Sequence, residues 1–164
     1  MTTRSSGFSL IELLVVVAII GILSAVGTLS YKGYISGAKK KSTQNVMQQI
    51  ALIQTEYLSD NGEYFTSDGA AEATGDVDAL EACTPSTTGD SGVDGTSEDL
   101  EKKMFEGGDI VTEEMGYWIC VAPYKVTSFV IVAIEHNDPS DDEEDPPCKM
   151  SMTANINWVR NEHC

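Results

Sequence analysis

The chain has 164 residues, 26 Asp/Glu against 10 Lys/Arg, and a net charge of −16. That length admits one modest core plus an accessory segment. The acidic balance is unlike a nucleic-acid-binding surface, which needs Lys and Arg to meet phosphate, so no direct nucleic acid binding is expected. The charge is also unevenly placed. Residues 1–58 carry five Lys/Arg and two Asp/Glu, whereas residues 59–164 carry five and 24.

In chain order, a short polar stretch, Met1 to Gly7 (MTTRSSG), comes first. From Phe8 to Tyr31 the only charged side chain is Glu12. That run is long enough to cross a bilayer, which takes about 20 apolar residues in a helix. An acid at the centre of such a span costs roughly 2.5–3.5 kcal/mol on insertion scales. Near the end it costs less, yet it still marks a functional candidate whose partner has to be named. A secretory signal peptide is cut after its apolar core at a small-residue site. Here the small residue, Gly7, precedes the core, so cutting between Gly7 and Phe8 would discard the leader and keep the helix.

Gly7-Phe8-Ser9-Leu10-Ile11-Glu12, followed by the apolar run through Leu23, resembles the prepilin-type cleavage and methylation signal of type IV pilins and related pseudopilins. The resemblance covers about the first 30 residues. It implies that a membrane-embedded prepilin peptidase removes residues 1–7 and methylates the new amine of Phe8. It also implies that Glu12 is the assembly carboxylate. Chemically, an acid buried among helices needs a cation, since removing one partner of a buried pair costs about 3–5 kcal/mol. The Phe8 ammonium created by cleavage is the cation nearest that depth. A pair within one helix is possible at this i,i+4 spacing; a pair with the next subunit would also fix the axial register of the two helices.

Beyond the span, Val46, Ile50, Ile53 and Tyr57 form an amphipathic stripe, and helical pattern runs to about Ser59 with Asn61-Gly62 as its stop. A helix from Phe8 to that point would be on the order of 80 Å long. Residues 8–31 would serve membrane and filament core, and 32–61 would back the head. Glycines at 21, 27, 33 and 37 weaken the helix but allow close helix approach. Many members of the resembling family carry a helix-breaking proline where this chain has Leu29, which weakens the case for local melting during assembly.

Residues 62–115 read as a long connection rich in Gly, Ser, Thr and Asp, with one helical turn at Leu100–Phe105. Strands are expected at Gly116–Val121, at Thr127–Glu135 after the turn APYK, and at Ser151–Val159. The expected fold is α+β: one long N-terminal helix packed on a small antiparallel sheet, with residues 116–164 holding the sheet and a C-terminal disulfide region.

Cys83, Cys120, Cys148 and Cys164 all follow the apolar helix, and an even count there suits an oxidising compartment. Four cysteines allow three pairings, and the residues alone leave these open. The family resemblance favours Cys148 with Cys164, and Cys83 with Cys120 as the other pair. This placement opposes the positive-inside count, because Lys32 and Lys39–Lys41 follow the span and only Arg4 precedes it. The cysteines and the cleavage signal outweigh the lysines, which are expected to meet acidic heads or lipids. The head would therefore lie outside the cytoplasm, and the helix in the inner membrane before assembly.

The run Asp138–Asp145 (DPSDDEED) lacks EF-hand spacing and reads as a solvated acidic loop rather than a calcium site. His136 and His163 have no motif around them. No metal, cofactor or enzymatic motif is found. The resemblance implies a structural pilus subunit, major or minor, whose partners are other pilins, the peptidase, the inner-membrane assembly machinery and lipid. The alternatives are a pseudopilin of a type II secretion system and a helix-anchored adhesin.

Overall fold

A computed structural model of the chain describes residues 9–67, 69–75, 78–83, 96–108, 110–125, 127–136 and 146–164. It divides into two units, Met1–Ala38 and Lys39–Cys164. Helix α1 (Leu10–Asn61) begins in the first and ends in the second. Its stop is the expected one. Gly62 adopts φ 80°, and its N–H reaches the Leu58 carbonyl at 2.8 Å, a left-handed closure that glycine accepts without a Cβ penalty.

The second unit is built on a four-stranded antiparallel sheet, β1 (Tyr117–Tyr124), β2 (Ser128–Glu135), β3 (Lys149–Thr153) and β4 (Trp158–Arg160), in that spatial order. Alternation along the strands sends side chains to two cores. Ile119, Val121, Ile131 and Met150 face Met47 and Ile50 of α1 together with Leu100 of a second helix, α2 (Thr96–Met104). Cys120, Ala122, Val130 and Val132 face the opposite way and are covered by Ala73, Ala79, Ala82 and Cys83. The Cys83–Cys120 disulfide ties that cover to β1, and Cys148–Cys164 closes the C-terminal loop.

Three expectations need correction. The stretch Ser151–Val159 is not one strand: it breaks into β3 and β4 around a turn in which Ile156 takes φ 62° and is exposed. Thr153 N–H bonds to the Asn157 carbonyl at 3.1 Å and Ile156 N–H to the Thr153 carbonyl at 2.8 Å, so local turn bonds override the apolar alternation. The strand predicted to end at Val121 continues through Ala122-Pro123-Tyr124, so of the expected turn APYK only Lys125 lies in the turn. Pro123 is tolerated because β1 is an edge strand, where a missing N–H breaks no ladder bond. The helical turn expected at Leu100–Phe105 is α2, a nine-residue helix; 3-10 turns at Asp78–Glu81 and Glu113–Met115 further structure the connection. The expected α1 stripe packs as read: Val46 and Ile50 are buried in the core and Ile53 and Tyr57 lie against it, joined by Thr43, Met47 and Gln54.

Two polar side chains sit in that stripe because their hydrogen bonds are satisfied. Thr43 Oγ1 donates to the Lys39 carbonyl at 2.9 Å. Gln54 donates through Nε2 to the Phe65 carbonyl at 2.9 Å and accepts from the Phe65 N–H at 3.0 Å, pinning the chain just after its reversal out of α1. The edge of β1 is closed in the same way. Ser97 Oγ accepts from Ile119 N–H and donates to its carbonyl. Ser67 meets both backbone groups of Val121, and Ala73 accepts from Lys125 and donates to Pro123. A sheet edge capped this way offers no open template for another strand.

Candidate assembly site

Around the sole acid of the apolar run, the first turn of α1 is specific. Ser9 carbonyl accepts the Leu13 N–H at 3.3 Å, which opens the helix, and Glu12 Oε2 accepts the Ser9 N–H at 3.1 Å. Ser9 is therefore the N-cap and Glu12 the third helical residue, reaching back as in a capping box. The sequence reading missed Ser9, although Ser9-Leu10-Ile11-Glu12 carries the S-x-x-E spacing that signals it. Gly7 and Phe8 lie outside the described residues, so the expected cleavage point and the Phe8 amine have no structural placement.

Among the described residues of its own unit, none of the apolar helix is buried. Leu10, Ile11, Leu13, Leu14, Ile19 and Leu23 are all exposed, on every side of the helix. Its first part is long and apolar enough to cross a membrane. The hydroxyls embedded in it are internally satisfied: Ser24 donates to the Ile20 carbonyl at 2.7 Å and Thr28 to the Ser24 carbonyl at 2.8 Å. They can thus enter an apolar medium without losing a water partner. A Cβ added at Gly21, Gly27, Gly33 or Gly37 would meet nothing within 4 Å. Among the described residues, packing does not require these glycines.

The family model for the prokaryotic N-terminal methylation motif matches residues 2–28. A fimbrial protein of Neisseria meningitidis serogroup A is 38% identical over 77 residues, covering 45% of each chain. The type IV major pilin protein PilE1 of Neisseria gonorrhoeae is 35% identical over 80 residues, 47% of this chain and 48% of the relative. These matches support a type IV pilin family for the chain. For the type IV major fimbrial protein FimA of Dichelobacter nodosus the match extends to 97 residues at 35% identity, 57% of this chain and 62% of the relative. The chain spans about half the length of the first curated relatives it matches. No solved structure gives a significant match.

The other predicted site residues fall in the second unit. Cys148 and Cys164 are joined, and Lys40 Nζ donates to the Cys164 carbonyl at 2.9 Å. Asn161 braces the same loop, its Oδ1 accepting from Lys149 N–H at 3.1 Å and its Nδ2 donating to the Pro147 carbonyl at 2.8 Å. Two of the lysines expected to face other molecules thus have intramolecular work: Lys40 holds the C-terminal loop, and Lys41 donates to Gln44 at 3.3 Å. Burial, and secondarily the carboxylate of Glu135, push the Tyr117 phenol well above its ordinary value of 10.0. His136 is exposed and its ring lies 5.3 Å from that of Trp118. The run Asp138–Asp145 lies outside the described residues. Among those described, no group of three or more His, Cys, Asp and Glu side chains is arranged to hold a metal.

Proposed function

We propose that this chain is a structural subunit of a type IV pilus, major or minor, that polymerises through its N-terminal helix. The observation carrying this reading is an apolar helix exposed on every side, with one carboxylate in its first turn. Such a helix needs lipid or other helices around it. The bare glycines at 21, 27, 33 and 37 suit close approach by neighbouring helices.

In this account, cleavage between Gly7 and Phe8 exposes an ammonium that the peptidase methylates. Before assembly, the helix sits in the inner membrane with the disulfide-bonded head outside the cytoplasm. In the filament, Glu12 accepts the Phe8 ammonium of an adjacent subunit, exchanging its cap bond to Ser9 for a charge pair. Adhesion, motility or related tasks would follow from the assembled fibre.

Capping and charge pairing make different demands at position 12. Gln serves the capping box as well as Glu does, but it cannot neutralise an ammonium. Glu12→Gln should therefore leave a folded, processed, membrane-held subunit that does not enter filaments. Intact mass spectrometry should find the processed protein lacking Met1–Gly7 and carrying one added methyl group. Finding an uncleaved chain in sheared filaments would refute the processing step.

A further inference from the structure

At the end of the sheet nearest the α1 C-terminus lies a cavity of ≈ 660 Å³ lined by Tyr57, Tyr64, Glu63, Lys103, Lys125 and Ser128, among others. Its size falls within the range of small-molecule sites. Its charge is at odds with the rest of the head. Residues 59–164 hold five Lys/Arg against 24 Asp/Glu, yet two of the five line this one concavity.

Both ammoniums are set on aromatic rings. Lys103 Nζ lies 5.6 Å from the centroid of Phe65, and Lys125 Nζ lies 4.9 Å from that of Tyr124. Among the described residues neither is paired with a carboxylate. Ring contacts of this kind hold a long side chain near one geometry, reducing the ordering cost of binding. Lys125 also stands at φ 51°, a left-handed position that glycine would occupy with less strain. The tyrosines are fixed as well, Tyr57 edge-on to Phe65 at 5.8 Å and Tyr64 against Phe129 at 4.9 Å.

From this arrangement we infer that the cavity binds an acidic sugar. The carboxylate of a sugar acid would receive charge-assisted bonds from Lys103 and Lys125. Its C–H face would lie on a tyrosine ring, and its hydroxyls would donate to Glu63 and Ser128. A bare inorganic anion uses only the lysines and is repelled by Glu63. A neutral sugar forgoes the lysines. The inference stands independently of polymerisation.

The test is saturation-transfer NMR and titration of the full chain in detergent micelles with glucuronic acid, glucose and inorganic phosphate. Glucuronic acid should bind at least tenfold more tightly than either comparator. Lys103→Gln with Lys125→Gln should weaken it at least tenfold without moving the melting temperature. Should that double variant fail to fold, Lys103→Gln alone, at an exposed side chain, should still give a clear loss. Equal binding of glucose or phosphate, no binding of glucuronic acid, or affinity unchanged by the lysine substitutions would each overturn the proposal.

Discussion

Glu12, Gln54 and Tyr117 show how single polar groups are treated differently according to what surrounds them. Gln54 satisfies both backbone groups of Phe65 while buried in the face of α1 that meets the sheet. Gln54→Leu removes both partners at once and should destabilise the head by about 2–4 kcal/mol, since each orphaned buried group costs about 1–3 kcal/mol. Chemical denaturation of the full chain in micelles measures this. Tyr117 is the opposite case: its hydroxyl is buried without a hydrogen-bond partner among the described residues. Tyr117→Phe should leave stability unchanged or raise it by up to about 1 kcal/mol. The phenol also carries a pH signature. Its folded pKa is raised above the ordinary 10.0, so the folded state holds the proton more tightly than the unfolded chain. The associated stability is present in full below pH 10 and falls away as pH rises beyond it. Melting of the wild-type chain at pH 9 and pH 11 should show that loss, and Tyr117→Phe should reduce it. Neither Gln54 nor Tyr117 could be assigned from sequence. Which polar residue a helix buries depends on a loop that returns to it eleven residues later, and local pattern does not encode that return.

The elements were legible in proportion to how local their causes are. The extent of α1 followed from an apolar run, an amphipathic stripe and Gly62, all readable in the chain itself. Strand β2 was equally plain, since Phe129 to Ile134 is a continuous apolar run. By contrast, the break between β3 and β4 hides inside alternating residues, because Ile156 sits at a turn while looking like a strand residue. The reach of β1 through Pro123 was masked by a residue that usually ends strands. What permits it is the segment around Ser67 and Ala73, which bonds to the outer edge. Ser67→Ala and Ser97→Ala each strip a hydroxyl from a buried backbone N–H of β1. Each should cost about 1–2 kcal/mol, with hydrogen exchange accelerated first at Val121 and Ile119 respectively.

At the scale of the whole molecule, the two units answer to different solvents. The head is closed by chemistry suited to an oxidising compartment. Cys83–Cys120 spans a sequence separation of 37 and Cys148–Cys164 one of 16. In the chain-entropy view these stabilise by about 4 and about 3 kcal/mol respectively. Reduction should therefore lower the melting temperature of the head, and Cys83→Ser with Cys120→Ser should selectively expose the sheet face that Ala73, Ala79 and Ala82 cover. Limited proteolysis would then cut near residues 70–83 before it cuts the C-terminal loop. Among its described residues the apolar unit has no such internal closure, and in the proposed account its exposed helix is completed by lipid and then, in a filament, by other copies of itself. On that account Glu12 joins those two states, and the first-turn signature that points to it was readable from sequence, whereas its cap bond to Ser9 was found in the structure. The most direct measurement is electron microscopy of surface filaments in cells producing Glu12→Gln in place of the native chain, with intact mass confirming processing. Processed subunit in the membrane with filaments lost is the result expected of a charge pair with Phe8. Normal filaments carrying Glu12→Gln would contradict it, leaving Glu12 as a helix cap alone.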